Sequence, residues 1–391
     1  MPNGRWRNDL PARTLIGSDD HADSQRRFSD DGSDIDGPDT DGPDIDSPDT
    51  TGDHPARWGS MNMLVDGEWR TDAYEATNED GEFDRDETSF RDRIQDDPDA
   101  EFPAESSRYH VYISRACPWA HRVAMTRRLL GLEDDISLSI VEPVRINDGW
   151  EFSDDYPDPL YGEEYLRDIY TRADSEFTGR VTVPVLWDRK KETIVNNESR
   201  EIMRMLVTEF DDANDVDLLP EGREDDVDEI IDDIYESINN GVYRAGFADT
   251  QEAHEEAIED LFGALDRWED VLENQRFLAG DVFTEADVAM FATLVRFDHV
   301  YHTHFKCNRR AIHQYPNLWN YTKEVYQLGD IAETVNIDHI TRHYYMSHAD
   351  INPKRLVPTG PDIDFSAPHN RDRLPADLPE SLRSTTAVAD D

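Results

Sequence analysis

The feature that most constrains this chain is a short apolar strand that runs straight into a helix headed by a cysteine. It lies in the sequence RYHVYISRACPWAHR, residues 108–122. The first part alternates as a buried strand does, with apolar side chains at Tyr109, Val111 and Ile113. The second part turns and enters a helix with Cys117 at its start and Pro118 in its first turn, a position that proline favours. The pattern therefore places a thiol at the start of a helix.

Cys117 is predicted to be a nucleophile because of this placement. A helix start presents unpaired backbone N–H groups and a positive dipole end, and Arg115 and Arg122 are close in sequence. Each of these favours thiolate over thiol. The alternative is a small buried apolar side chain, the usual fate of a lone cysteine. Ala120 stands where a Cys-x-x-Cys pair would have its second thiol. A mixed disulfide formed on Cys117 would therefore have to be resolved by a thiol from another molecule.

The charge of the chain is extreme. Its 391 residues carry 88 Asp and Glu against 39 Lys and Arg, a formal net charge of −49, and only 37% are hydrophobic. Such a chain repels itself in dilute buffer, whereas at molar salt the Debye length falls to about 3 Å. We interpret the surface as adapted to a cytoplasm near salt saturation, as in extremely halophilic archaea. The same charge argues against nucleic acid and anionic membranes as partners, since binding to either needs a basic surface.

Location follows from what the sequence lacks. It has no run of about 18 apolar residues and no apolar secretion signal near residue 1, so we expect a soluble, cytoplasmic protein. The two cysteines, Cys117 and Cys307, are far apart in sequence. In a reducing compartment we expect no structural disulfide between them.

The two ends of the chain are predicted to lie outside its main domains. Residues 1–57 contain DGSDIDGPDTDGPDIDSPDT and are expected to form a disordered acidic arm, because they have too few apolar residues to bury. Residues 58–107 place isolated apolar side chains among charges and are expected to lie over the folded body as an N-terminal extension. Residues 351–391 are rich in proline and aspartate, and we expect a C-terminal tail that packs loosely or not at all.

Between these ends the pattern is α/β and then all-α. Residues 108–212 read as strand, helix, strand and helix, then a hairpin and a last helix, which is the thioredoxin-like order. Pro184 falls inside the strand whose end would face Cys117, which indicates an edge strand or a cis peptide. Residues 220–350 carry apolar residues at the spacing of a helical domain. Within them, residues 284–287 (TEAD) form a capping-box variant ahead of an apolar helix.

Taken together, these stretches resemble a known family. A thioredoxin-like domain followed by an all-helical domain is similar to the glutathione S-transferase fold, and the sequence resembles more narrowly the glutathionyl-hydroquinone reductases, its Xi-type branch. The matching stretches are ACPWAHR (116–122), GRVTVPVLWD (179–188), NNES (196–199), INNGVYRAGFA (238–248), TLVRFD (293–298), HFKC (304–307) and ETVNIDHITRHYY (333–345).

The resemblance implies a reaction. The Cys117 thiolate attacks the sulfur of a glutathionyl-hydroquinone, releases the hydroquinone and is left as a mixed disulfide, which a second thiol resolves. The hydroxyls of Tyr243 and Tyr344 would face the hydroquinone and stabilise and reprotonate the departing ring. Buried tyrosines bonded to the backbone are the alternative, and the choice of Tyr344 over Tyr345 rests on the resemblance alone. The family also implies a homodimer.

The resemblance assigns the thiol site as well. Glu198 would hold the ammonium of a γ-glutamyl group, and Ser199 with the helix start its carboxylate, although both residues also fit helix capping. The backbone of Val183 would pair with the cysteinyl part like an added strand, and Trp150 and Arg180 would make the remaining contacts. Because extremely halophilic archaea are known as a group for γ-glutamylcysteine, the thiol is glutathione or γ-glutamylcysteine, and these residues would bind either.

Other interpretations stay open at this point. A zinc site is conceivable, but the spacing of the candidate ligands follows no familiar zinc pattern, and we expect no metal; the candidates are His299, His302, His304 and Cys307. In place of the reductase, the chain would be an Omega-like thiol transferase or dehydroascorbate reductase, or a non-enzymatic binding protein that keeps the fold.

Overall fold

A computed structural model describes residues 60–75, 77–78, 80–83, 88–210 and 214–383. The predicted acidic arm, residues 1–57, lies outside this part of the chain. The strands are β1 (Ser60–Val65), β2 (Glu68–Glu75), β3 (Tyr109–Ile113), β4 (Ile136–Ile140), β5 (Val185–Asp188) and β6 (Thr193–Asn196). The helices are α1 (Pro118–Leu129), α2 (Leu166–Ala173), α3 (Ser199–Thr208), α4 (Glu224–Ile234), α5 (Gly241–Gly246), α6 (Gln251–Val271), α7 (Glu285–Arg296), α8 (Pro316–Gln327), α9 (Ile331–Thr334) and α10 (Ile337–Ser347).

A four-stranded sheet in the order β4-β3-β5-β6 frames the first half of the described chain. β3 pairs in parallel with β4 and antiparallel with β5, so that Val111 lies between Leu138 and Leu186. All five residues of β3 are buried, because the strand has a neighbour on each edge and covered faces. This mixed sheet with its helices confirms the predicted thioredoxin-like order, and α4 to α10 confirm the all-helical part. The domain boundaries at residues 108–212 and 220–350 stay predictions.

Pro184 lies at the start of an inner strand. β5 runs between β3 and β6, so the edge-strand alternative is wrong. The proline precedes the first residue of β5, where its missing N–H interrupts no ladder bond. The other alternative holds, since the Val183–Pro184 peptide is cis.

The described residues of the N-terminal extension pack against the sheet and its loops. β1 and β2 form an antiparallel hairpin, and Leu64 exchanges two backbone hydrogen bonds with Gly179, each 3.0 Å long. Further along, the backbone N–H of Asp92 donates to Val195 at 3.0 Å. Ile94 is fully buried. The extension therefore adds apolar side chains to the core in place of a domain of its own.

The capping-box variant is confirmed at the start of α7. The backbone N–H of Thr284 donates to the Asp287 carboxylate at 2.9 Å, and the same carboxylate accepts from the Tyr321 hydroxyl at 2.8 Å. All twelve residues of α7 are buried, and the helix packs against α1, α4 and α8. α7 is therefore the centre of the helical part, as its apolar sequence predicts. Among the residues described, no helix is both long and apolar enough to span a bilayer.

The expectation of a loosely packed C-terminal segment is wrong for residues 365–382, although residues 353–360 are exposed. Arg371 is fully buried and donates to the carbonyls of Leu272, Gln275 and Arg276, at 2.6, 2.5 and 2.9 Å. These carbonyls follow α6, and the last carbonyls of a helix have no partner within the helix. One arginine thus attaches the segment, and Leu382 packs into the core behind it. The composition of the segment did not indicate this packing, because a few buried side chains are enough to hold the segment on the core.

Replacing Arg371 tests this anchor. Arg371→Met removes the donor to one buried and two partly buried carbonyls. We expect the free energy of unfolding to fall by about 3 kcal/mol. The measurement is denaturant unfolding at one fixed high salt concentration. Arg373→Met is the matched control, since Arg373 is exposed and makes two longer contacts, to the Glu273 carbonyl at 3.2 Å and to the Asn317 side chain at 3.3 Å. Its change should stay within about 0.5 kcal/mol. Equal effects of the two variants would contradict the anchoring role.

Candidate active site

Cys117 stands just before the first residue of α1. Its backbone is extended (φ −76°, ψ 124°), Pro118 follows as the first helical residue, and its carbonyl accepts from the His121 N–H at 3.0 Å. The side chain is partly exposed, and the thiol donates to the Val183 carbonyl at 3.6 Å. The cysteine therefore faces the cis-proline end of the β5 segment. Nothing buries the sulfur in a closed apolar pocket, which a merely structural cysteine would need.

Arg296 holds the turn that carries this cysteine. It is the last residue of α7, and its guanidinium is fully buried. It donates to the carbonyls of Ala116 at 2.8 Å and Arg115 at 3.0 Å, and it also lies 3.0 Å from His121 Nδ1. Sequence reasoning missed this residue, although it lies within the TLVRFD stretch, because the contact joins residues about 180 positions apart.

His121 and Arg122, which follow Cys117 in sequence, make contacts away from its sulfur. His121 Nε2 lies 2.8 Å from the Thr334 hydroxyl, and burial, helped by Arg296, lowers the pKa of His121 well below its usual value. It is a neutral packing residue. Arg122 bonds to Asn239 at 2.6 Å and lies over the Trp119 ring. Its contribution to thiolate formation remains a prediction.

Three phenols form a chain of hydrogen bonds near the sulfur. The hydroxyl of Tyr344 lies 2.5 Å from that of Tyr243 and 2.9 Å from that of Tyr301. Burial raises the pKa of Tyr344 well above its usual value, so the group keeps its proton near neutrality. Tyr345 instead donates to the His299 carbonyl at 3.2 Å. Of this neighbouring pair, Tyr344 faces the other phenols. Tyr301 was missed because nothing in its local sequence marks it.

One cavity brings together Cys117 and most of the other predicted residues. Its lining comprises Phe83, Cys117, Trp119, Arg145, Trp150, Arg180, Thr182, Val183, Tyr243, Phe247, His343, Tyr344 and His348. Six predicted site residues are in this set: Cys117, Tyr243, Tyr344, Trp150, Arg180 and Val183. Glu198 and Ser199 are not. Apart from Thr182, the remaining lining residues are aromatic or cationic. Sequence reasoning did not find them, because they come from segments that the fold alone brings together.

Glu198 and Ser199 mark the start of α3. The Glu198 carboxylate accepts from the backbone N–H of Arg200 at 3.3 Å, as a capping residue does. Ser199 is buried as the first helical residue. This end of α3 is linked to the cavity through Tyr170, whose hydroxyl donates to Thr182 at 2.9 Å and accepts from Asn197 at 3.2 Å.

Trp150 is held between two basic side chains. Its ring stacks on His343 with centroids 5.0 Å apart, and the Arg145 guanidinium lies 5.5 Å from its centre. Burial, together with Arg145, lowers the pKa of His343 to about 3, although the His343 ring also donates to the Pro143 carbonyl at 2.8 Å. Of these two flanking groups, only Arg145 is charged near neutrality.

The suspected zinc ligands do not converge. His304 bonds to His348 at 3.1 Å, while Cys307 is fully buried at 4.0 Å from the Val242 carbonyl. Burial raises the pKa of the Cys307 thiol far above its usual value, so it is an unreactive free thiol. Within the described ranges, the one set of three potential ligands close enough together is elsewhere, at Glu324, His369 and Asp372, where Arg276 bonds to Glu324 at 2.6 Å and to Asp372 at 2.7 Å.

Comparison with known proteins identifies relatives of this site and fold. Family models for the N-terminal and C-terminal domains of glutathione S-transferases match residues 116–209 and 251–324. Glutathionyl-hydroquinone reductase YqjG of Escherichia coli is 46% identical over 324 residues, which cover 80% of this chain and 99% of that protein. A structure of YqjG with glutathione bound superposes with a TM-score of 0.72 at 44% identity, covering 79% of this chain and 99% of that one. A Xi-class glutathione S-transferase from Natrialba magadii superposes with a TM-score of 0.78 at 57% identity, covering 82% and 100%.

The buried neutral histidine predicts a pH dependence of stability. The pKa of His343 is about 3 in the folded chain against 6.5 when exposed. Above pH 6.5 the side chain is neutral in both the folded and the unfolded chain, so its contribution to the free energy of unfolding is complete. Below that pH the unfolded chain binds a proton at this residue and the folded chain does not. The free energy of unfolding therefore falls by about 1.4 kcal/mol for each unit by which the pH is lowered. In His343→Gln the free energy of unfolding should fall less steeply between pH 6.5 and about pH 4.5, by about 1.4 kcal/mol per pH unit. Denaturant unfolding at several pH values measures it, and an unchanged slope would contradict the assignment.

Proposed function

The chain belongs to the glutathionyl-hydroquinone reductases, the Xi class of the glutathione S-transferases, and from this premise we propose that it is an enzyme that reductively removes a thiol from thiol-substituted hydroquinones through Cys117. The observation that carries the proposal is the cavity in which the partly exposed Cys117 sulfur and the phenols of Tyr243 and Tyr344 share one wall. A thiol transferase that acts on disulfides needs the sulfur alone, whereas removal of an aromatic leaving group needs proton donors beside it.

In the first step the Cys117 thiolate attacks the sulfur of the thioether. A sulfur–sulfur bond forms, the bond between sulfur and ring carbon breaks, and its electron pair goes to the ring, which takes up one proton at that carbon. The products are the free hydroquinone and a mixed disulfide on Cys117. A second thiol then attacks this disulfide, leaves as the oxidised thiol dimer and restores Cys117. One thioether and one thiol are thereby converted into one hydroquinone and one disulfide.

The phenols supply the proton and stabilise the charge on the leaving ring. Tyr344 is protonated near neutrality because burial raises its pKa, and its hydroxyl is in a 2.5 Å hydrogen bond with Tyr243. A short phenol pair can donate to a ring oxygen or ring carbon and share the resulting charge over two groups. Tyr301, 2.9 Å from Tyr344 at the buried end, extends the chain of bonds.

The thiol half would extend from the sulfur toward α3. Val183 offers its backbone beside Cys117, and Arg180 and Trp150 border the same cavity. Glu198 and Ser199 would hold the γ-glutamyl ammonium and carboxylate at the start of α3, where backbone N–H groups favour an anion. Glutathione and γ-glutamylcysteine both present this group, so the proposal covers either thiol. A homodimer, a cytoplasmic location and adaptation to molar salt remain predictions from the sequence.

Loss of Cys117 tests the reaction directly. Wild-type protein should release hydroquinone from a glutathionyl-hydroquinone and, in parallel, from the γ-glutamylcysteinyl analogue, with mass spectrometry identifying the ring product and the disulfide. Cys117→Ser should reduce turnover below detection, because serine neither ionises near neutrality nor forms the mixed disulfide. Cys307→Ser is the matched control and should retain turnover. Full turnover by Cys117→Ser would show that the reaction does not pass through Cys117, and no release of hydroquinone by wild-type protein would favour the non-enzymatic binding protein.

The choice between the adjacent tyrosines gives a second test. Tyr344→Phe removes the central hydroxyl of the phenol chain, and we expect kcat for hydroquinone release to fall by about 100-fold with KM little changed. Tyr345→Phe should stay within about two-fold, since its hydroxyl bonds to the His299 carbonyl. Steady-state kinetics on one substrate measures both. Equal losses would mean that the two hydroxyls act through packing.

A further inference from the structure

The cavity around Cys117 is positively charged in a chain whose net charge is −49. Among the residues that the structure describes, its lining includes Arg145 and Arg180 and no aspartate or glutamate. His343 adds no charge near neutrality, because its pKa is about 3. An acidic surface repels anions, so a local concentration of cations is the means by which such a protein attracts and seats an anionic ligand. Sequence analysis assigned Arg180 to the thiol and gave Arg145 no role.

Arg145 is held in place before any ligand arrives. Its backbone N–H donates to the Ser347 hydroxyl at 2.9 Å. The loop around it is attached to α10 by the 2.8 Å bond from His343 to Pro143, and to β2 by the 2.8 Å bond from the Trp69 indole to Asn147. The cation is therefore presented to the cavity from a loop fixed on both sides.

The Arg145 guanidinium has no internal counterion. In the described part of the chain, no carboxylate lies within 4.0 Å of it, whereas the comparably enclosed Arg204 pairs with the buried Glu285 at 2.6 Å. Burial lowers the pKa of Arg145 to about 10, while Cys117 and Tyr243 raise it. The group is thus charged near neutrality and close to both reacting groups. An aromatic ligand seated beside it displaces water, and a neutral one would leave the cation uncompensated, which is unfavourable.

Counting charges indicates which half of the substrate supplies the anion. Glutathione and γ-glutamylcysteine each carry two carboxylates. Under the proposed function, on which this step rests, Ser199 with the start of α3 takes one and Arg180 the other. Arg145 is the cation without an assigned carboxylate, and it lines the same cavity as the phenols of Tyr243 and Tyr344. We propose that Arg145 determines specificity for hydroquinones whose ring carries a carboxylate, which it binds by a charge-assisted hydrogen bond.

Binding measurements test this without turnover. In the Cys117→Ser protein at one fixed salt concentration, calorimetry compares 2,5-dihydroxybenzoate with its methyl ester, which has the same ring and no charge. The acid should bind about 10- to 100-fold more tightly than the ester. Adding Arg145→Met should abolish this preference and leave the ester's affinity within about two-fold, whereas Arg145→Lys should keep part of it. Arg342→Met, which removes an exposed arginine on α10 that pairs with Asp338 at 3.4 Å, should change neither affinity.

Three results would overturn the proposal. One is equal binding of acid and ester while Arg145 is present. The second is an equal loss of both probes in Arg145→Met, which would indicate a structural role. The third is a selective loss of glutathione or γ-glutamylcysteine binding in that variant, which would assign Arg145 to the thiol half. Failure of the proposed function is separate, since it shows as activity retained by Cys117→Ser or as no hydroquinone released by wild-type protein.

Discussion

The bonds from Arg296 to the carbonyls of Arg115 and Ala116 are the contact on which the rest of the site depends. They join the turn before Cys117 to the last residue of α7, the most buried helix of the described chain. The helical turn that follows α7 carries Tyr301, which bonds to Tyr344. One arginine thus sets the distance between the sulfur of the thioredoxin-like part and the phenols of the helical part. A guanidinium suits this task because its donors diverge in a fixed plane and stay charged when buried.

Burial determines which side chains around the Cys117 sulfur are neutral near neutral pH. Desolvation disfavours the charged form of every group, so it lowers the pKa of His343 and raises that of Tyr344. Near neutrality His343 and Tyr344 are therefore neutral in the cavity wall, whereas Arg145 keeps its charge. This division suits a reaction in which a thiolate enters and an electron-rich ring leaves, since negative charge develops where cations and phenols meet. The same arginines would attract the anionic thiols of the proposed function to a chain that is otherwise so acidic.

Much of the fold was predictable from local pattern. The strand, turn and cysteine-headed helix around Cys117, and the capping box at Thr284, need only neighbouring residues to form, so their sequence signals are complete within a few positions. The packing of residues 365–382 was not predictable in this way. It depends on Arg371 reaching three carbonyls about 95 positions away, and a segment rich in proline and aspartate carries no periodicity that reports such an anchor.

The amino-acid sequence was sufficient to place a reactive thiol at a helix start, to order the α/β and all-α halves, and, through its resemblance to a family, to nominate Tyr243, Tyr344 and the thiol contacts. Only the folded chain decided that Tyr344 and not Tyr345 meets the other phenols, that Pro184 directly precedes an inner strand, and that Arg145 lines the cavity with no counterion among the described residues. The physical reason is the range of the interactions. Helix starts and strand alternation are encoded by residues within one or two turns of each other, whereas the direction of a side chain into a shared cavity depends on how distant elements pack.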